Sequence, residues 1–125
     1  HKQQARGRPA HFFQRADGDL IAFAGLWEAK RDPTRSDDPR AWLYSCTMIT
    51  TRAGADMDTI HDRMPVVLEP DLLDVWLDPG DADRAELDPL LRPAPAGTLV
   101  HHRVSRRVGN VRNDDPRLIE EEREG

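Results

Sequence analysis

The chain has 125 residues, 38% of them hydrophobic, which suits one domain with a modest core. No apolar run approaches the roughly 18 residues of a membrane span, and the opening residues lack the charged, apolar, small-residue order of a secretion signal, so a cytoplasmic location is expected. The single cysteine, Cys46, excludes an internal disulfide and a cysteine-rich zinc site.

The formal net charge of −5 hides a segregation along the chain. Acidic residues crowd Asp71 to Asp88 and the tail from Asp114 through Glu124. Basic ones lead the chain at Lys2, Arg6 and Arg8, and return as a block of His101, His102, Arg103, Arg106, Arg107 and Arg112. Gathered on one side, that block would be a phosphate-binding footprint; spread out, it is a solvated face balanced by the acidic tail.

Residues 1 to 10 are polar, basic and without apolar periodicity, and read as an extended lead-in. Strand-like runs follow from His11 to Ala16 and from Leu20 to Trp27, separated by Asp17-Gly18, a pair suited to a two-residue hairpin turn. The second run is apolar on both faces, which predicts a strand covered on each side. Glu28 to Arg40, with Pro33 and Pro39, reads as a surface loop.

Trp42 to Thr51 resumes a strand, with Trp42, Tyr44, Cys46, Met48 and Thr50 on one face. Cys46 is expected there as a small buried hydrophobe, with no base placed to make it a nucleophile. A short polar helical turn leads to His61, Asp62, Arg63, Met64 and Pro65, then to a second apolar run. Such a junction holds polar groups at a surface, where a histidine exchanges protons near neutral pH and an arginine holds a phosphate. A lone histidine beside an aspartate is more often a structural hydrogen-bonder.

Pro70 opens a helix carrying Leu72, Leu73, Trp76 and Leu77, with early aspartates that suit its dipole, and Pro79-Gly80 ends it. A second short helix spans Asp83 to Arg92 with a break at Pro89, and Pro93 to Gly97 forms a rigid connector. Thr98 to Ser105 returns to a strand, Val108 to Val111 makes a tight turn, and Leu118-Ile119 precede a frayed acidic end. His101 and His102 point to opposite faces of their strand, and His1 and His11 have no partner at ligand spacing; neither a metal nor an organic cofactor is expected.

The string His61-Asp62-Arg63-Met64-Pro65, preceded by Thr50 and followed by Val66-Val67-Leu68, resembles the signature of the SRAP family of abasic-site processing proteins. Four further segments resemble family segments in family order: Ala22 to Glu28, Thr47 to Thr51, the helix ending in Trp76-Leu77, and Val104 to Val111. The resemblance implies an α+β fold with a mixed, mostly antiparallel, barrel-like sheet and short peripheral helices. It also implies covalent capture of abasic sites in single-stranded DNA by an N-terminal cysteine, whose amine and thiol add to the sugar aldehyde to give a thiazolidine. An α-amino group, with a pKa of about 7.7 to 8, suits that addition. By the same resemblance His61 is the active-site histidine, Thr50 and Arg63 contact the DNA backbone, and Arg106 is a further candidate contact.

The sequence departs from the family pattern at its start. The opening Met-Cys-Gly-Arg, the Asn-Ala-Arg box and the Gly-Phe-Tyr-Glu-Trp box are absent, and His1 falls just after the last of these. Residues 1 to 125 therefore read as the C-terminal part of a single SRAP domain, inactive alone and monomeric. Glu28 and Cys46 do not match the family's glutamate and nucleophile. A peptidase, and a non-catalytic module that binds DNA through its basic block, are the alternative readings.

Overall fold

A computed structural model describes residues 9–35, 37–80 and 84–123. The lead-in over residues 1–8 and the start of the second helix at Asp83 lie outside the described residues. The chain forms two compact units, one from residues 1–20 with 97–125 and one from Ile21–Ala96. The architecture is mixed α+β, built on antiparallel pairs of short strands.

In the first unit, β1 (Ala10–Arg15) pairs antiparallel with β8 (Leu99–Val104), setting Phe12 opposite His102 and Phe13 opposite His101. Leu99 and Val104 are buried and anchor the two ends of β8. Arg15, buried at the other end of β1, forms a two-pronged pair with Asp17: Nε donates to Oδ1 at 3.0 Å and Nη2 to Oδ2 at 2.9 Å. A turn forms one residue earlier than expected: the Gly18 N–H bonds to the Arg15 carbonyl, so Ala16 and Asp17 are its centres, and only Gly18 takes positive φ, at 82°. The expected hairpin does not form, because β1 takes β8 as its partner and the run after the turn goes elsewhere.

The second unit contains β2 (Ala22–Phe23), β3 (Gly25–Arg31), β4 (Trp42–Met48), β5 (Thr50–Arg52), β6 (Arg63–Pro65) and β7 (Val67–Leu68). These are three continuous segments that each change partner midway. β2 pairs with β7, β3 with β4, and β5 with β6, all antiparallel. The changes occur at Ala24, Ile49 and Val66. At that crossing three backbone bonds close a ring: Ala24 N–H to the Val66 carbonyl at 2.9 Å, Val66 N–H to Ile49 at 2.9 Å, and Ile49 N–H to Ala24 at 3.0 Å. Each strand gives one donor and takes one, so no buried amide is orphaned where the ladders break.

Around this ring lies the core of the unit. Ala24 and Val66 have no exposed surface, Leu68 is buried, and Ile49, Leu73, Trp76, Leu90 and Leu91 pack against them. A small residue at 24 lets the three backbones meet, and the next residue, Gly25, is closer still: a Cβ there would lie 2.9 Å from the Thr47 carbonyl oxygen. The helix expected after Pro70 forms as a 3-10 turn (Pro70–Leu72) continued by α1 (Leu73–Leu77), and Trp76 Nε1 donates to the Gly25 carbonyl at 3.2 Å. The second helix is α2 (Arg84–Leu87) followed by a 3-10 turn (Asp88–Leu90) at Pro89.

Two expectations about burial are overturned. The run Leu20 to Trp27 is not a doubly covered central strand: it breaks at Ala24, and Leu20, Phe23, Leu26 and Trp27 are exposed. Cys46 is exposed rather than a buried hydrophobe, because β3 and β4 form a two-stranded ribbon whose faces carry no second layer among the described residues.

Candidate functional site

The ring at Ala24, Ile49 and Val66 fixes what emerges from it. Thr50 follows Ile49 directly, and β6 enters Val66 from Arg63, so the short ribbon of β5 and β6 is clamped at one end by buried backbone. Its register sets Thr50 opposite Pro65, Thr51 opposite Met64 and Arg52 opposite Arg63. Side chains alternate along a strand, so Thr50, Arg52 and Arg63 share one face while Met64 occupies the other. The burial follows that alternation: the first three are exposed, and Met64 retains 2% of its surface.

Between β5 and β6 the chain makes a turn-rich excursion over residues 53–62. The Ala53 N–H bonds to the Asp62 carbonyl at its neck, and the Met57 carbonyl accepts from both Ile60 and His61. Gly54 lies where a Cβ would be 3.0 Å from both the Ala94 oxygen and the Pro93 Cβ, and its N–H points at the Met64 sulfur at 3.3 Å. The buried thioether thus holds the loop from beneath.

His61 leaves this loop with its side chain 58% exposed. His61 Nδ1 lies 3.1 Å from the Arg63 backbone nitrogen, whose N–H it accepts when the ring proton is on Nε2. The same Nδ1 lies 3.0 Å from the Arg63 carbonyl oxygen and 3.3 Å from Asp62 Oδ1, both acceptors when Nδ1 carries a proton. The anchored nitrogen is therefore served in either state, and Nε2 can exchange protons with whatever approaches.

Arg63 is oriented in turn by Thr50. Its Nη2 donates to the Thr50 Oγ1 at 2.8 Å and to the Thr50 carbonyl at 3.0 Å. Thr50, His61 and Arg63, singled out in the sequence, thus form one connected surface. Arg106 belongs to the other unit, on an exposed 3-10 turn (Arg106–Gly109) capped by Ser105. Its neighbour Arg107 is neutralised by Asp115 at 3.0 Å, so the basic block offers less free charge than its composition suggests. Asp115 in turn is held below the usual carboxylate range, chiefly by that bond.

Two features escaped the sequence reading. Arg52 lies two residues beyond Thr50, and strand alternation alone could have placed it on the Thr50 face. His11, for which the sequence shows no partner at ligand spacing, meets His101 across β1 and β8 with their Nδ1 atoms 3.2 Å apart. No cluster of three or more metal-ligating side chains occurs among the described residues. No helix among them is long and apolar enough to cross a membrane.

Comparison with known proteins places these features in context. At 40% identity over 102 residues the chain is similar to the abasic site processing protein YoqW of Bacillus subtilis, covering 82% of this chain and 43% of that one. It is 36% identical over 101 residues to the abasic site processing protein HMCES of Gallus gallus, covering 80% and 28% of the two chains. The chain thus spans less than half the length of these relatives. A solved structure from Bacteroides thetaiotaomicron superimposes with a TM-score of 0.79 at 19% identity, over 98% of this chain and 51% of that one, which shows a shared fold. The family model described as SOS response associated peptidase (SRAP) matches residues 1–111, and the chain belongs to that family.

Proposed function

We propose that these residues are the C-terminal part of a single SRAP domain in an abasic-site processing protein, one that crosslinks abasic sites in single-stranded DNA through an N-terminal cysteine outside residues 1–125. The observation that carries this reading is the state of His61: an exposed ring held at Nδ1 by Arg63, leaving Nε2 open beside a fixed guanidinium. In the proposed reaction the cysteine amine adds to the C1′ aldehyde of the opened sugar, and loss of water gives an imine. The thiol sulfur then attacks the imine carbon, its proton passes to nitrogen, and a thiazolidine closes with one water released overall. Both steps need proton movement near neutral pH, the task suited to an imidazole.

Thr50, Arg63 and Arg106 are the proposed contacts to the DNA backbone, through a hydroxyl and two guanidinium groups. No metal or organic cofactor enters this chemistry. The protein is taken to act as a monomer, in the cytoplasm at the nucleoid.

The test is incubation of the full-length parent with single-stranded DNA containing one abasic site, read on a denaturing gel. A covalent adduct with the parent, and none with residues 1–125 alone, is the expected result. Retention that salt abolishes, with no adduct from the parent, would leave only a non-catalytic DNA-binding module. Release of a peptide from the parent's N-terminus without adduct would instead favour the peptidase reading that the family description carries.

A further inference from the structure

Arg52 and Arg63 face each other directly across β5 and β6, with their side chains on the same exposed face. Like charges at directly opposed positions destabilise a strand pair, and they do so most where nothing neutralises them. Neither arginine forms an ion pair among the described residues. The nearest acid in sequence, Asp62, has its carboxylate 3.3 Å from His61 Nδ1. Arg63 uses only Nη2 on Thr50, so its Nε and Nη1 remain unengaged, and the Arg52 side chain has no hydrogen-bond partner among the described residues. The threonine thus fixes one guanidinium and leaves its remaining donors free on the face it shares with Arg52.

We infer that Arg52 and Arg63 form a clamp for one backbone phosphate of the DNA strand, adjacent to the nucleotide presented to His61. This rests on the DNA reading above and deepens it. Arg52 is not among the residues that the family resemblance points to, so the clamp adds a contact to those proposed above. A phosphate with oxygens shared between two guanidinium forks removes the repulsion between them and makes charge-assisted bonds to each. Because β6 runs from the His61 loop through Arg63, a phosphate held there fixes the strand two residues from the ring. The lesion sugar would then be registered against Nε2 by its own backbone, without any base being read, which suits a lesion that has no base.

The test uses the full-length parent and an undamaged, fluorescein-labelled single-stranded oligonucleotide, with anisotropy titrations over a range of salt concentrations. Arg52→Gln should weaken binding about fivefold and reduce the slope of log K against log salt by about 0.7, one phosphate contact's worth on a single strand. Arg63→Gln should do the same, and the double variant should lose little more than either single one, because both hold one phosphate. Without DNA, at low salt, Arg52→Gln should melt no lower than the parent, which separates lost contact from lost fold.

A parent that binds with a salt-dependent affinity that Arg52→Gln leaves unchanged overturns the clamp and spares the DNA reading. Strictly additive losses overturn the shared phosphate as well. The converse failure is read with inorganic phosphate: if it raises the melting temperature of the parent above that in chloride of equal ionic strength, and Arg52→Gln abolishes the rise, the clamp stands. Should that same parent show no binding to the oligonucleotide, the DNA reading falls alone.

Discussion

His61 Nδ1 has a donor, the Arg63 N–H, and two acceptors, the Arg63 carbonyl and Asp62, all within 3.3 Å. A ring supported in both protonation states can pass a proton without reorienting, so its removal should slow chemistry more than binding. In the full-length parent His61→Ala is expected to lower the rate of adduct formation about 10²-fold, the lower end for a positioned proton carrier. Undamaged DNA should bind the variant as before; a rate within a factor of two of the parent would remove His61 from the mechanism. Met64 is the structural counterpart beneath it. Met64→Ala deletes a buried thioether that also meets Gly54, and a loss of about 2 to 5 kcal/mol in urea-unfolding free energy is expected. At this scale the motif named three residues that the fold brings into contact, Thr50, His61 and Arg63. It failed for Cys46, since alternation tells which residues share a face but not whether anything covers that face.

The partner exchange at Ala24, Ile49 and Val66 explains why strands were easier to find than to pair. Each run was visible from its apolar content, yet β-propensity describes fit to a pleated surface and carries no address for the neighbour. The chain turns at Ala16-Asp17 rather than at Asp17-Gly18, and the segment beyond pairs with Val67 and Leu68 instead of folding back on β1. The short helices were placed more accurately because proline and glycine mark their ends locally. At the crossing the close approach is fixed by Gly25. Gly25→Ala puts a Cβ 2.9 Å from the Thr47 oxygen, on backbone that the ring of hydrogen bonds prevents from yielding. The expected cost is about 1 to 3 kcal/mol, read from the urea midpoint at unchanged slope. At Gly109, where a Cβ meets nothing within 4 Å, the same substitution serves as the control and should be close to neutral.

For the molecule as a whole, the pH dependence of stability should have two separate descents, and their order follows from the direction of each shift. His11 has its pKa lowered from 6.5, first by burial and then by the charges of His101, Arg103 and His102 on the paired strand. The unfolded chain therefore takes up a proton on His11 more readily than the folded one, and stability falls as pH drops below about 6.5. A doubly protonated pair is unfavourable for a direct reason: the two Nδ1 atoms are 3.2 Å apart, and one must be unprotonated to accept from the other. Asp17, Asp32 and Asp115 shift the opposite way relative to their charge. Each is held below 3.8 mainly by a side-chain hydrogen bond, from Arg15, Thr34 and Arg107 respectively. Their stabilisation is present in full above the unfolded carboxylate pKa and is lost as pH falls through the lower folded values. Thermal melts at fixed ionic strength should thus show one decline that begins as pH falls through about 6.5 and a second that begins as pH falls through about 3.8. His11→Gln should remove the first decline and leave the second in place, whereas Asp115→Asn should diminish the second alone. A single descent unaffected by His11→Gln would mean that the β1–β8 pairing does not bring the two imidazoles together in solution.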